Sequence, residues 1–161
     1  MRLQTPSFWY PKDQSQSVLS TALLPAAWVY ETISQTLQNY KTTRKVSVPV
    51  LCIGNLVAGG TGKTPAAIAV LTLIKDAGLA QNPFFLTRGY GGASRGPLIV
   101  QDNHGYTDVG DEALLLARHA PCVIAADRYA GAQLAVQNGA DFIIMDDGLQ
   151  NPGLYKDFKL I

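Results

Sequence analysis

Gly59-Gly60-Thr61-Gly62-Lys63-Thr64 is a run in which each residue type suits the capture of a phosphate chain. Phosphates need backbone N–H groups turned inward, the positive end of a helix, and a cation. Glycines let the backbone come close and take positive φ, and a helix start directs N–H groups at the anion. Lys63 would reach the outer phosphates, and the Thr64 hydroxyl would hold Mg²⁺. The usual phosphate loop has glycine five positions before its second glycine, where this chain has Val57. The flexible points shift to Gly59 and Gly60 without being lost. The expected nucleotide-binding set is therefore Val57, Ala58, Gly59, Gly60, Thr61, Gly62, Lys63 and Thr64, with ATP and Mg²⁺ as the ligands. A GTPase should carry a base-reading Asn-Lys-x-Asp, which is missing. A partitioning ATPase should carry a second lysine where Ala58 stands.

Three further clusters have types suited to phosphoryl transfer. Asp146-Asp147 closes the apolar run Phe142-Ile143-Ile144-Met145, and an acid at the tip of a strand beside the phosphate loop is placed for Mg²⁺. The alternative is a solvated turn. Thr87-Arg88-Gly89-Tyr90-Gly91-Gly92 follows another apolar run, and Arg88 could neutralise a transferring phosphate or a phosphate on the acceptor. Gly110-Asp111-Glu112 precedes a helical pattern. Asp111 could be no more than an N-cap, with Glu112 a first-turn acid. His104 and His119 stand alone and receive no role.

The elements that must position these groups alternate. Val48–Ile53, Phe84–Thr87, Leu98–Val100, Cys122–Ala125 and Phe142–Met145 read as buried strands. Pro65–Ala77, residues 111–119 and Tyr129–Asn138 read as helices; Pro65 suits a first turn, and Gly78 and Gly139 suit ends. Phe158–Ile161 begins another strand where the chain stops, which suggests a fragment of a longer protein rather than an ordinary edge strand. The class is α/β, a P-loop NTPase-like and mostly parallel sheet with flanking helices. Ahead of it, Leu19, Leu23, Ala26, Tyr30, Ile33 and Leu37 share one face of an amphipathic helix over residues 17–39, kinked or restarted at Pro25. That face packs on the core or dips into lipid headgroups, with Lys41, Arg44 and Lys45 near anionic lipid. The domains expected are a lead-in and membrane-associating helix over 1–45 and a nucleotide-binding domain over 46–161.

Composition fits this reading. Of 161 residues, 47% are hydrophobic and 16% charged, enough for a core and too little charge for disorder. A formal net charge of +1 gives no reason to expect nucleic acid. Cys52 and Cys122 sit in apolar runs as buried free thiols, which suggests a reducing compartment, and no His or Cys spacing suggests a metal site. No secretory signal opens the chain. The longest apolar run of the N-terminal region, Ala22–Tyr30, falls far short of the ~20 residues of a spanning helix.

The segment Gly54–Pro65 resembles the phosphate loop of the tetraacyldisaccharide 4′-kinases, the lipid A 4′-kinases of Gram-negative bacteria. So do Arg88–Gly92, Gly110-Asp111-Glu112, Asp127-Arg128-Tyr129 and Asp146–Gln150, in the same order. The resemblance covers about Ser17 to the end. It implies transfer of the γ-phosphate of ATP to the 4′-hydroxyl of a tetraacylated disaccharide 1-phosphate, giving lipid IVA in lipid A biosynthesis. It implies a peripheral enzyme on the cytoplasmic face of the inner membrane, and tips residues 17–39 towards lipid. No obligate protein partner is implied.

By motif, Lys63 and Thr64 match the phosphate-cradling lysine and the Mg²⁺-binding hydroxyl. Asp111 matches the acid acting as general base, and Glu112, Asp146 and Asp147 match metal-side acids. Arg88 matches a residue near the transferred phosphate, and Tyr90 and Arg128 match acceptor contacts. Asn151 and Lys156-Asp157 depart from the family's common His and Arg-Asp. Family members continue into a second domain, so the resemblance implies that this chain is the nucleotide-binding part and does not turn over alone.

Overall fold

Runs of apolar residues bounded by glycine, proline and acids become strands buried on both faces. The computed structural model describes Pro25, Trp28, residues 43–54 and residues 62–161. The chain divides into two units, Met1–Lys41 and Thr42–Ile161. In the first, Pro25 and Trp28 have helical backbone and are exposed; the rest of the helix expected over 17–39 lies outside the described residues. Arg44 and Lys45 belong to the second unit, where Arg44 bridges to Leu154 and Lys45 pairs with Asp157. The division therefore falls a few residues before the boundary expected at residue 45.

In the second unit the strands are β1 (Val50–Ile53), β2 (Pro83–Thr87), β3 (Leu98–Ile99), β4 (Cys122–Ile124), β5 (Phe142–Asp146) and β6 (Phe158–Leu160). The helices are α1 (Lys63–Asp76), α2 (Tyr106–Val109), α3 (Asp111–Ala117) and α4 (Arg128–Gln137). The sheet order is β3-β4-β2-β5-β1-β6, parallel throughout except for the antiparallel β3–β4 pair. β1 and β5 run in register from Val50 beside Ile143 to Ile53 beside Asp146, so their carboxyl ends finish level.

Period two splits each strand between two cores. Phe85, Cys122, Ile124 and Ile144 face Ala67, Leu71 and Ile74 of α1 and Ala113 and Leu116 of α3. Phe84, Leu86, Val50, Cys52 and Ile143 lie with Ala132 and Ala135 of α4. Burying each large side chain contributes roughly 1.5–3 kcal/mol, which makes this alternation the main source of the layering. Gly131 lets α4 lie close, since a Cβ there would fall 2.6 Å from the Ala125 side chain and 2.7 Å from that of Leu86. Cys52 and Cys122 are buried and free. Burial pushes the Cys122 thiol up to about 12, with a smaller push from the Asp146 charge, so it stays protonated and inert.

One element differs from the sequence reading. The short helix α2 was not expected, because its four residues carry no periodicity; Asp108 holds it by accepting from the Gly105 N–H at 2.8 Å. The strand expected to begin at Phe158 forms as β6, paired in parallel to β1, with Phe158, Lys159 and Leu160 exposed.

Candidate functional site

The carboxyl ends of β1, β5 and β2 collect the groups of interest, as open parallel sheets dictate. Helix α1 starts at Lys63. Its N-cap, Gly62, has φ 76°, a left-handed turn that glycine adopts without Cβ strain. Among the described residues no side chain caps this end and its first turn holds no acid, so its N–H groups are open to another acceptor. Residues 55–61, which include Val57, Ala58, Gly59, Gly60 and Thr61, lie outside the described residues.

Asp146 ends β5 and is buried. Its Oδ2 accepts from the Thr64 hydroxyl at 3.3 Å, while its Oδ1 is buried with no hydrogen-bond partner among the described residues. Burial first, and the Glu112 charge second, push this carboxyl up to about 6; Asp147 adds to the rise, and Thr64 and Lys63 oppose it. Asp147 turns the chain with φ 54°, and its N–H is held by the Ile53 carbonyl at 3.2 Å. This left-handed turn sends its side chain outward, where Lys63 Nζ meets Oδ1 at 3.4 Å. Lys63, Thr64, Asp146 and Asp147 are thus brought together, with Glu112 in electrostatic reach.

Helices α2 and α3 meet at Gly110, which has φ 86° and is the N-cap of α3. A Cβ at Gly110 would collide with the Tyr90 carbonyl, and one at Gly92 would fall 2.6 Å from the Asp108 carbonyl. The loop that carries Arg88 and Tyr90 is therefore packed backbone to backbone against the turn that presents Asp111. The Ala93 and Ser94 N–H groups close the contact onto the Thr107 and Asp108 carbonyls at 2.8 and 2.9 Å. Asp111 is not the cap it could have been. It is the first helical residue, exposed, with Oδ1 accepting from the Glu112 N–H at 3.0 Å. Arg88 and Tyr90 are exposed and line a cavity of about 280 Å³ with Ser94 and Arg95.

Arg128 differs from the acceptor contact expected of it. It is buried at 3% exposure and donates to the Ala125 carbonyl and to the Asp147 carbonyl at 3.4 Å. Burial, then the neighbouring Arg88 charge, hold its guanidinium below its ordinary value. Placed at the first residue of α4, it ties the ends of β4 and β5 together, while its Nε is buried with no hydrogen-bond partner among the described residues. Asp127 caps the same helix, accepting from the Tyr129 and Ala130 N–H groups at 2.9 and 3.3 Å.

The family departures also have structural work. Asn151 Oδ1 accepts from the Gly153 N–H at 2.9 Å, and Lys156 donates to the carbonyls of Leu149 and Asn151, tying down the loop after the double acid. Sequence reasoning missed Arg95, which carries no motif of its own, and the positive φ of Gly110, for which Gly-Asp-Glu before a helix was a partial signal.

Among the described residues no three His, Cys, Asp or Glu side chains lie close enough to hold a metal by themselves. Mg²⁺ does not ask for such a cage; it keeps waters and phosphate oxygens and takes one or two carboxylates. The unpartnered Asp146 oxygen beside the Thr64 hydroxyl fits that demand.

A family model described as tetraacyldisaccharide-1-P 4′-kinase matches residues 19–161. A tetraacyldisaccharide 4′-kinase of Parvibaculum lavamentivorans is 45% identical over 161 residues, 99% of this chain and 46% of that protein. One of Gluconacetobacter diazotrophicus is 47% identical over 160 residues, 99% of this chain and 47% of the other. The crystal structure of LpxK from Aquifex aeolicus in complex with ATP superposes with a TM-score of 0.75 at 34% identity, covering 88% of this chain and 48% of that one. The chain spans just under half the length of the curated relatives it matches.

Proposed function

Since the chain belongs to the tetraacyldisaccharide-1-P 4′-kinase family, we propose that it is the nucleotide-binding part of an enzyme that phosphorylates the 4′-hydroxyl of a tetraacyldisaccharide 1-phosphate with ATP. The observation that carries this reading is the Asp146 carboxylate, buried with one oxygen without a partner among the described residues, beside Thr64 and Lys63 at the start of α1. A buried charge left open in this way is destabilising unless a ligand completes it.

Each residue has a task. The α1 N–H groups and Lys63 take the phosphate charge of the nucleotide. Thr64, Asp146 and Asp147, with Glu112 nearby, would hold Mg²⁺, which supplies charge neutralisation on the phosphates when bound. Asp111 accepts the proton of the 4′-hydroxyl as that oxygen forms its bond to the γ-phosphorus and the bond from γ-phosphorus to the β–γ bridging oxygen breaks. ADP leaves with that electron pair. A positioned base of this kind contributes typically 10²–10⁴-fold. Arg88 faces the charge spread over the transferring group, and Tyr90 offers a ring and hydroxyl to the sugar. Arg128 is a positioning residue, holding the Asp147 turn.

The acyl chains of the acceptor favour work at a membrane surface, the cytoplasmic face of the inner membrane. Among the described residues no helix is long and apolar enough to cross a membrane. Arg44 lies over the Tyr129 ring at 4.0 Å and near Asp127, and Lys45 pairs with Asp157, so these two cations serve the fold first. Co-sedimentation with anionic liposomes, with and without residues 17–39, tests the surface reading; equal partitioning of both would end it.

The kinase reading is tested by ATP-dependent phosphorylation of the tetraacyldisaccharide 1-phosphate. The chain would be assayed alone and within a polypeptide of its relatives' length, with Lys63→Ala and Asp111→Ala beside them. Transfer by the longer polypeptide, lost in both variants, supports it. ATP binding without any transfer by the longer, folded polypeptide leaves only a nucleotide-binding module.

A further inference from the structure

Arg88 and Arg95 line one concavity of about 280 Å³, together with Ser94, the exposed ring of Tyr90 and Ala126. Two guanidinium groups on one small wall repel each other unless an anion lies between them. Arg44, Lys45 and Lys63 each have a carboxylate partner. Arg88 and Arg95 have no ion pair with any carboxylate among the described residues. Ser94 Oγ accepts from the Gly96 N–H at 3.3 Å, which leaves its hydroxyl proton to donate elsewhere.

The wall is also fixed. The Arg95 carbonyl accepts from the Ala126 N–H at 2.8 Å, just past the end of β4, and the Ser94 N–H is held by the Asp108 carbonyl. Arg95 therefore projects from backbone pinned to β4 on one side and to the α2–α3 turn on the other. Arg88 follows β2 directly. In the sheet order, β4 and β5 flank β2, so the pocket wall at Arg95 stands two strand spacings, roughly 10 Å, from the Asp146 end of β5. That separation is of the order of a disaccharide's length.

We propose that Arg95, with the Ser94 hydroxyl, binds the phosphate that the acceptor disaccharide already carries, and so sets the enzyme's preference for a phosphorylated acceptor. The proposal rests on the kinase reading above. Arg88, nearer the acids, faces the reacting end, and Arg95 faces the far end of the sugar pair. A phosphomonoester offers the guanidinium two oxygens at once, which a neutral sugar hydroxyl does not.

The test uses the full natural polypeptide and two acceptors, the tetraacyldisaccharide with and without its 1-phosphate. Arg95→Ala should lower the ratio of kcat/KM for the phosphorylated over the unphosphorylated acceptor by about 10- to 100-fold, the loss of a charge-assisted contact. Most of the change should sit in the acceptor KM, the KM for ATP should hold, and Arg95→Lys should restore part of the preference. An unchanged ratio overturns the proposal, and so does a rise in the KM for ATP, which would assign the anion to the nucleotide. Binding of glucosamine 1-phosphate, followed by ³¹P line broadening, reads the pocket without turnover. If neither acceptor is phosphorylated by the parent protein, the kinase reading fails; saturable broadening that Arg95→Ala removes would still support the anion pocket, and equal broadening in both would overturn it.

Discussion

Asp157, just before β6, lies against the start of β1, and Asp146 ends β5, the strand on the other side of β1; the two carboxyls are held in opposite ways. Both oxygens of Asp157 are used. Lys45 Nζ reaches Oδ1 at 2.7 Å and the Val50 N–H reaches Oδ2 at 3.0 Å, while the Asp157 N–H returns a bond to the Val50 carbonyl. Burial works to raise this carboxyl, but the Lys45 contact and the Val50 N–H together bring it below its ordinary value. Asp146 has one hydroxyl on one oxygen and no partner among the described residues on the other, and burial and its acidic neighbours bring it up to about 6. The same residue type therefore closes the fold at one edge of the sheet and is left open at the other. An acid with both oxygens bonded is part of the scaffold; a buried acid with one oxygen left open beside a lysine and a threonine at a helix start marks where a ligand is expected.

Exchanging each for its amide separates the two roles most sharply. Asp146→Asn should lower kcat by about 10³-fold or more in the full natural polypeptide, since it removes charge aimed at the transferring phosphate. The same change should leave the fold as stable as before or more so by about 1 kcal/mol, because an unpaired buried charge disappears. Asp157→Asn should do the reverse, costing roughly 1–3 kcal/mol of stability while turnover changes little. Kinetics and urea denaturation on both variants check this. A large stability loss in Asp146→Asn would show that its carboxylate is structural after all.

The pH response should also have opposite signs. The folded value of Asp146 lies above its unfolded one, so the folded chain binds more protons between the two. Its favourable share is present in full below about 4 and is lost as pH rises through about 6, by on the order of 1–3 kcal/mol. The Asp157 contribution runs the other way, present above the ordinary aspartate value and lost as pH falls through its lowered one. Denaturation in cation-free buffer across pH 4–8, for the parent and Asp146→Asn, should show the parent losing stability relative to the variant as pH rises. Parallel curves would remove the electrostatic basis of the comparison.

How much of this was legible in the sequence follows from what each residue's neighbours are. Phe84–Thr87 and Phe142–Met145 announce buried strands because flanking helices leave no polar face to alternate with. Lys63-Thr64 and Asp146-Asp147 announce a site because such residues at a strand end and a helix start need a ligand to make sense there. Arg128 misleads, since a cation in a polar motif reads as exposed, and only α4's position against the Asp147 turn buries it. Arg95 is silent because its significance lies in sharing a wall with Arg88, which a chain written in one dimension does not display. Asp157 reads as the family-matching half of the Lys156-Asp157 pair, with no role assigned to it, and proves to be the clasp between β1 and β6.

The smallest effect is expected where the open edge borrows scaffold of its own. Lys156 is half-buried and donates to the Leu149 and Asn151 carbonyls, so one ammonium fastens the loop that follows Asp146-Asp147. Burial, and then the Lys159 and Arg128 charges, hold its ammonium below the ordinary lysine value. Lys156→Met keeps the stem and removes the donors. It should cost about 0.5–1.5 kcal/mol of stability, in line with the loss of one net hydrogen bond. Amide exchange should rise in residues 148–153 and stay unchanged at Val50, where Asp157 still holds the strand. If exchange at Val50 rises as much as in the loop, the two edges share one clasp, and the division between a closed and an open end of the sheet gives way.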